Sequence, residues 1–191
     1  MTIPTAGKVR IIGGQWRSRV LRFSASSELR PTPDRIRETL FNWLAFDITG
    51  AYCLDLFAGS GALGFEALSR GAAFVAMVEQ SPPVVASLRE NAQLLGAVDK
   101  VAIYSAAIPQ WQLPPMPHKF DIVFLDPPFH HNWLPICWQW LEDQQCLAAD
   151  ALVYVEAERE LSPPPIPADW CLIKSKMAGQ VGYHLAHSHC Q

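Results

Sequence analysis

The chain has 191 residues, of which 50% are hydrophobic and 17% are charged, and its formal net charge is −3. This balance is typical of a globular domain with a full core and excludes a disordered chain. No apolar stretch reaches the length of a membrane span, and the N-terminus lacks the basic and apolar segments of a signal peptide. Five cysteines form an odd set without a Cys-x-x-Cys pair, so we expect reduced thiols and a cytoplasmic protein.

Two finer expectations concern cysteine and histidine. Cys53 and Cys171 lie in apolar runs, which favours core positions for both. Only three histidines near the C-terminus have metal-ligand spacing: His184, His187 and His189. We interpret this tail as a frayed end, with incidental metal capture as the alternative. The sequence therefore predicts no resident metal.

The N-terminal part of the chain is basic although the protein is acidic overall. Residues 1–40 contain eight arginines and lysines against three acidic residues. Two β-prone runs, 8–12 and 17–23, flank Gly13-Gly14 and predict a β-hairpin. Because arginine dominates and Trp16 is interleaved, we interpret residues 1–30 as an arm that binds nucleic acid by phosphate contacts and stacking. An ordinary solvated hairpin is the alternative.

A helix follows the predicted hairpin. Thr32 has the character of an N-cap, with Pro33 at the first helical position. The helix is predicted to run to about Ala45, and Arg35 and Arg37 fall outside its apolar face. That face is predicted to pack in the core and comprises Ile36, Leu40, Trp43 and Leu44.

A glycine-rich turn follows the next predicted strand, at about residues 52–57. Gly59, Gly61 and Gly64 stand between this strand and a helical pattern, which indicates a nucleotide-binding turn. Glu79 ends the following apolar run, where an acid is placed to bind ribose hydroxyls. The turn alone fits a dinucleotide equally well. Asp55, inside the first strand, favours S-adenosylmethionine, because its carboxylate suits a cationic amino-acid group.

Strand and helix patterns alternate through the rest of the chain. We predict strands at about 73–79, 101–105, 121–126 and 152–156, and a helix from about Ser81 to Leu95. This alternation indicates a doubly wound parallel sheet. Two last β-prone runs, 170–174 and 180–185, follow as candidates for a closing antiparallel pair.

The chemistry is concentrated in Asp126-Pro127-Pro128-Phe129, which follows the apolar run 122–125. A strand there places Asp126 at its carboxyl end, where open α/β sheets bind ligands. Asp126 and Pro127 are held stiffly, because proline fixes its own φ and restricts the residue before it. The Asp126 carboxylate and the Pro127 carbonyl can accept the two hydrogens of a planar exocyclic amine, and Phe129 can stack on its base. A strand that ends in an ordinary Asp-Pro turn is the alternative.

These motifs carry a resemblance to a known family. Asp55 to Gly61 together with Asp126 to Phe129 resembles the Rossmann-like amino-methyltransferases. The blocks 11–17, 29–44, 59–69 and 178–183 resemble the bacterial small-subunit ribosomal RNA guanine-N2 methyltransferases (RsmD-like) over nearly the whole chain, from Val9 to Leu185. The resemblance implies an α/β fold, a mostly parallel seven-stranded sheet with a C-terminal antiparallel strand, plus the N-terminal hairpin and helix. Residues 31–191 would form the methyltransferase domain.

The resemblance also implies the site residues. Methyl transfer from S-adenosylmethionine to guanine N2 of 16S ribosomal RNA, on an extruded base, would use Asp126, Pro127, Pro128 and Phe129. The cofactor would be bound by Asp55, Phe57, Ala58, Gly59, Ser60, Gly61, Gly64, Glu79, Gln80, Ala106 and Ala107. The RNA, within an assembling or assembled 30S particle, would be bound by Lys8, Arg10, Arg17, Arg19, Arg22, Arg30, Thr32, Arg35 and Arg37. A monomer is expected, and no metal or membrane takes part.

One position departs from the family pattern, and several functions stay open. Related enzymes place Asp or Asn where this chain has Ala106, so the adenine would be held by backbone groups or by Ser105. Adenine-N6 methylation of DNA or RNA fits the catalytic motif as well, although the chain has no room for a separate DNA-recognition domain. An NAD-linked oxidoreductase and a non-catalytic RNA-binding assembly factor are further alternatives. His130 and His131 are interpreted as helix entry or rim residues, with a general base as the alternative.

Overall fold

A computed structural model describes residues 6–24 and 31–188 of the chain. The predicted N-terminal hairpin is present, as strands β1 (Ala6–Arg10) and β2 (Val20–Ser24), which pair antiparallel with Lys8 opposite Arg22. A short 3₁₀ helix at Gly14–Trp16 lies between them. The turn is therefore longer than a tight hairpin at Gly13-Gly14 would need. Arg30 lies outside the described residues.

Seven strands form the central sheet. In chain order they are β3 (Tyr52–Asp55), β4 (Phe74–Glu79), β5 (Val101–Ser105), β6 (Phe120–Leu125), β7 (Leu147–Glu158), β8 (Cys171–Ala178) and β9 (Val181–His187). Their order across the sheet is β5-β4-β3-β6-β7-β9-β8. Strands β3 to β7 pair in parallel, and β9 pairs antiparallel with both β7 and β8. The predicted sheet and its closing antiparallel pair are confirmed.

Helices cover both faces of this sheet. They are α1 (Asp34–Trp43), α2 (Ala62–Ser69), α3 (Pro82–Leu95) and α4 (Trp133–Gln144). Because side chains alternate along a strand, β3 sends Cys53 into one apolar cluster and Leu54 into the other. The first cluster lies under α1, α2 and α3, and the second lies under α4. None of the helices in the described ranges is long and apolar enough to cross a bilayer.

The hairpin packs on α2 and α3 and shares the first cluster with them. Its inward side chains, Val9, Leu21 and Phe23, are buried in that cluster. The backbone N–H of Arg22 donates to Asn91 Oδ1 of α3, whose amide donates back to the Arg22 carbonyl at 2.8 Å. The division at residues 30 and 31 stays a prediction.

The structure corrects three local predictions. Helix α1 begins at Asp34 with Pro33 at the N-cap position, and Thr32 makes no capping bond. Cys171 is half-buried, so its expected place in the core was wrong, whereas Cys53 is a buried free thiol. His184 and His187 belong to β9 rather than to a frayed end. His189 lies outside the described residues.

Candidate active site

The predicted catalytic and cofactor residues converge on one edge of the sheet. Strands β5, β4, β3 and β6 are neighbours and run parallel, so their carboxyl ends share an edge. The segments that follow these strands carry the predicted residues, in sheet order: Ala106 and Ala107; Glu79 and Gln80; Asp55 to Gly64; and Asp126 to Phe129. Open α/β sheets bind ligands at this edge.

Glycines shape the turn between β3 and α2. Gly59 and Gly61 have φ of +50° and +78°, in the left-handed region that glycine adopts readily. A Cβ added at Gly61 would lie 2.6 Å from the Phe65 ring, so a side chain has no room there. At Gly64 an added Cβ would overlap Met77 of β4. Gly64 therefore allows close packing of α2 on the sheet.

The carboxylates of Asp126 and Glu79 lie near Asp55 at this turn. Asp55 is buried, and burial together with the nearby charges of Asp126 and Glu79 raises its pKa to about 7, although the backbone N–H groups of Phe57 and Gly64 donate to it. A cationic ligand would offset this like-charge repulsion. S-adenosylmethionine carries a sulfonium and an ammonium group, so the chemistry of these donors fits it.

Glu79, at the end of β4, is hydrogen-bonded to the glycine turn. Its Oε2 accepts from the Gly59 N–H at 3.1 Å and its Oε1 from the Ser81 N–H at 2.7 Å. These bonds fix the carboxylate at the end of β4, as predicted for a ribose-binding acid. Ala106 is joined to the same strand end, because its N–H donates to the Glu79 carbonyl at 3.0 Å. The remaining turn residues are placed as follows: Phe57 half-buried against Trp133, Ala58 and Ser60 buried, Gln80 and Ala107 exposed.

Asp126 stands immediately beyond β6, one strand away from the glycine turn. Burial raises the pKa of its carboxyl to about 6, and a hydrogen bond from Thr32 opposes the shift. Within the described part of the chain, no donor is hydrogen-bonded to the Pro127 carbonyl. Pro127 is buried, Pro128 is exposed, and the Phe129 ring is partly exposed. One carboxylate oxygen, one carbonyl and one ring are thus available to a ligand.

Thr32 has a different role from the one its sequence position indicated. It is buried, and its hydroxyl donates to Asp126 Oδ2 at 3.3 Å. Its carbonyl accepts from Arg37 Nε at 3.1 Å. Thr32 therefore orients the predicted catalytic carboxylate, rather than capping a helix.

Sequence reasoning missed Glu156, the residue of β7 that lies beside Asp126. Strands β6 and β7 pair Leu125 with Val155, which makes Asp126 and Glu156 the next neighbours. Glu156 is 3% exposed, and Tyr154 donates its hydroxyl to Glu156 Oε1 at 2.8 Å. An acid inside an otherwise apolar strand was the available signal. It is the same signal that singled out Asp55.

The outer face of the hairpin is cationic. Lys8, Arg10 and Arg22 alternate with the buried side chains of β1 and β2 and are exposed, as are Arg17 and Arg19 in the turn and Arg35 on α1. A cavity of about 400 Å³ opens beside this face, and its lining includes Lys8, Arg10 and Thr32. The Thr32 hydroxyl bond to Asp126 thus places the cavity next to the predicted catalytic group.

Arg37 is not part of that surface. Its side chain is 1% exposed and lies between Asp34, at 2.6 Å, and the buried Glu66, at 3.4 Å. The prediction that Arg37 contacts RNA was wrong for this reason. Trp16 is half-buried against the first core cluster, which restricts the stacking expected of it.

Three comparisons place the chain among known proteins. A protein-family model described as "Conserved hypothetical protein 95" matches residues 9–187. Ribosomal RNA small subunit methyltransferase D of Escherichia coli (strain K12) is 48% identical over 186 residues, which cover 97% of this chain and 93% of that protein. The protein of the same name from Haemophilus influenzae is 45% identical and covers 94% of this chain and 93% of its own length.

The chain belongs to the ribosomal RNA small subunit methyltransferase D family. A solved structure of a putative methyltransferase from Escherichia coli agrees with this, with a TM-score of 0.85 at 44% identity over 97% of this chain and 100% of that one. The family and the methyltransferase fold predicted from the motifs are confirmed. In this family member, the carboxyl edge described above is the candidate methyl-transfer site.

Proposed function

We propose that the protein transfers a methyl group from S-adenosylmethionine to the exocyclic N2 of a guanine in small-subunit ribosomal RNA. The observation that carries the proposal is the placement of three features at one edge. Asp126 and the Pro127 carbonyl lie beside the glycine turn. Thr32 lines the cavity beside the cationic hairpin and donates to Asp126, so the hairpin adjoins the same site. Family membership, and the names of relatives that share up to 48% identity, support the same reaction and substrate class.

The cofactor is bound by the turn and the three strand ends around it. When bound, S-adenosylmethionine supplies a methyl group on a positively charged sulfur. The ammonium group is held near Asp55, the ribose hydroxyls are held by Glu79, and the turn Phe57 to Gly61 contacts the remainder with Gly64 behind it. Gln80 and the backbone of Ala106 and Ala107 line the adenine side. Because Ala106 lacks a polar side chain, the adenine is held through main-chain groups.

The substrate amine is held by Asp126 and Pro127. Thr32 binds Asp126 Oδ2, which leaves Oδ1 for one N2 hydrogen while the Pro127 carbonyl accepts the other. Two fixed acceptors orient the nitrogen lone pair, and alignment of this kind lowers the barrier to transfer. Asp126 then takes the proton that N2 loses once it carries the methyl group. Phe129 stacks on the extruded base, and Pro128 keeps the turn rigid.

Replacement of Asp126 tests the catalytic assignment. Asp126→Ala removes one acceptor and the proton-accepting group, so label transfer from methyl-labelled S-adenosylmethionine to small-subunit RNA should be lost. Cofactor affinity, measured by isothermal titration, should stay close to that of the wild type. Glu160→Ala, an exposed acid beyond β7, is the matched control. Full turnover by Asp126→Ala would refute the role.

The proposed nucleic-acid surface comprises Lys8, Arg10, Arg17, Arg19, Arg22 and Arg35, with Thr32 at its inner end. Arg30, which lies outside the described residues, stays a prediction from the sequence. Replacing Arg17 and Arg19 with Ala should weaken RNA binding and reduce the slope of log K against log salt by roughly 0.7 to 0.9 for each lost phosphate contact. Lys119→Ala, an exposed cation before β6 at the opposite edge, should leave the slope unchanged. An unchanged slope in the double variant would contradict the RNA assignment.

One mapping experiment identifies the modified base. We propose that the enzyme acts as a cytoplasmic monomer on an assembling or assembled 30S particle. Mass spectrometry of ribosomal RNA from cells with and without the gene should reveal one missing N2-methylguanine. A missing N6-methyladenine would replace this proposal with the adenine alternative, and an unchanged methylation pattern would favour a non-catalytic assembly factor.

A further inference from the structure

Glu156 is a buried acid that the proposed mechanism does not use. It is 3% exposed, and no Lys or Arg of the described ranges forms an ion pair with it. Its neighbour across the β6–β7 register is Asp126, so two carboxyl groups stand side by side, Glu156 buried and Asp126 partly exposed. An isolated buried carboxylate is costly, and two adjacent ones are costlier.

The hydroxyl groups around the two acids can form a complete set of hydrogen bonds if Asp126 and Glu156 share one proton. Tyr154 donates to Glu156 Oε1 at 2.8 Å, and Thr32 donates to Asp126 Oδ2 at 3.3 Å. The Thr32 hydroxyl also lies near the Glu156 carboxyl, where it opposes the rise of that pKa. If Glu156 carries a proton, each hydrogen has an acceptor: Tyr154 donates to Glu156, Glu156 to Thr32, and Thr32 to ionised Asp126. With both acids ionised, Thr32 has one hydrogen for two carboxylates.

We propose that Glu156 is a positioning residue that shares one proton with Asp126 through Thr32, so that Asp126 is the ionised member which accepts from the substrate amine. This inference rests on the proposed function for its catalytic meaning. Glu156 keeps the local charge at minus one and holds the Thr32 hydroxyl towards Asp126. The proton released from N2 goes to Asp126, which is the more exposed acid, and leaves from there to solvent.

The surroundings of the pair favour this distribution of charge. Burial raises the pKa of Glu156 well above its ordinary range, and the charge of Asp126 raises it further. From β3, Asp55 adds a second negative charge near Asp126, and the residues of β7 and β9 that face the pair, Tyr154 and Tyr183, carry no positive charge. Every charged neighbour that acts on the pair thus disfavours a second ionisation.

Carboxyl titration by ¹³C NMR, on protein without RNA, tests the pair independently of methyl transfer. Two titrations should be resolved, with Glu156 titrating above Asp126. Asp126→Asn should lower the pKa of Glu156, because a neighbouring negative charge is removed. Thr32→Val should raise the pKa of Asp126. The inference is overturned if Glu156 titrates alike in the wild type and in Asp126→Asn, or if it titrates at an ordinary value.

The pH profile of methyl transfer gives a second readout. In the wild type the rate should fall on the acid side, as Asp126 takes a proton, and on the alkaline side, as Glu156 ionises. Glu156→Gln should remove the alkaline limb and keep the acid limb, whereas Glu160→Gln should change neither. Retention of both limbs in Glu156→Gln would overturn the positioning role. If NMR shows no such pair in the wild type but Asp126→Ala is inactive, this inference fails and the proposed function stands. If the wild type shows the pair but Asp126→Ala is active, the proposed function alone is refuted.

Discussion

Glu66 of α2 is the buried acid that holds the hairpin to the catalytic domain. Its two oxygens accept from the backbone N–H groups of Ile12 and Gly13, each at 2.8 Å, and from Arg70 Nε at 2.7 Å. Arg37 lies 3.4 Å away and is itself 1% exposed. Glu66→Ala would remove every one of these acceptors at once and leave the Arg37 guanidinium without its buried partner.

The expected loss of stability is large. Removing one member of a buried ion pair costs about 3 to 5 kcal/mol, and Arg37 would keep only the largely exposed Asp34 as an ionic partner. The two hairpin N–H groups are only partly buried, so water can replace part of their bonds, and we add nothing for them. With a urea m-value of about 2 kcal/mol/M, the unfolding midpoint should fall by about 1.5 to 2.5 M.

Urea unfolding followed by tryptophan fluorescence and circular dichroism measures this shift. The matched control is Glu90→Ala, because Glu90 is also a helical glutamate but is exposed on α3. Its midpoint should move by no more than about 0.3 M, as expected of a surface substitution. A shift of that small size in Glu66→Ala would refute the reasoning, since the carboxylate would then not be what fixes Arg37 and the hairpin.

Two further predictions concern pH and the hairpin turn. The pKa of Asp55 is raised to about 7 in the folded protein, so the folded state binds more protons than the unfolded chain between about pH 4 and pH 7, and stability falls as the pH rises through that window. The melting temperature of the ligand-free wild type should decline more steeply from pH 5 to pH 7 than that of Asp55→Asn, and equal slopes would contradict the shift. Gly14→Ala should weaken RNA binding, because its Cβ would overlap the Ser69 carbonyl, whereas Gly50→Ala has a similar positive φ but open space around it. Filter binding of labelled RNA compares them, and equal losses would show that strain rather than collision is responsible.

The elements with strong local signals were predictable from the sequence. Apolar runs bounded by glycine or proline located the strands that end at Asp55, Glu79 and Leu125 to within a few residues. The Gly59 to Gly64 spacing located the turn, because positive φ and close packing are requirements of single positions. The carboxyl edge followed from the parallel order of the strands. These residues needed no knowledge of distant partners.

The residues that were missed depend on partners far away in the chain. Arg37 has the sequence context of an exposed helical arginine, and its burial follows from Glu66, 29 positions later. Thr32 has the residue type and the following proline of an N-cap, yet its hydroxyl bonds Asp126, 94 positions away. Glu156 became notable only when β6 and β7 paired. Local rules cannot weigh one local hydrogen bond against a long-range one, because both satisfy the same polar group.

The buried Arg37 explains why the hairpin and the catalytic edge behave as one unit. Its three guanidinium nitrogens reach three different acceptors: Nε bonds the Thr32 carbonyl, Nη1 faces Glu66 and Nη2 bonds Asp34. A lysine ammonium is a single point and could not span these directions. Glu66 holds the hairpin, and Thr32 holds Asp126, so one planar side chain fixes the distance between the cationic surface and the carboxylate. In the proposed reaction, a base extruded from RNA bound on that surface would have to reach Asp126, and a fixed distance is what aligned transfer requires.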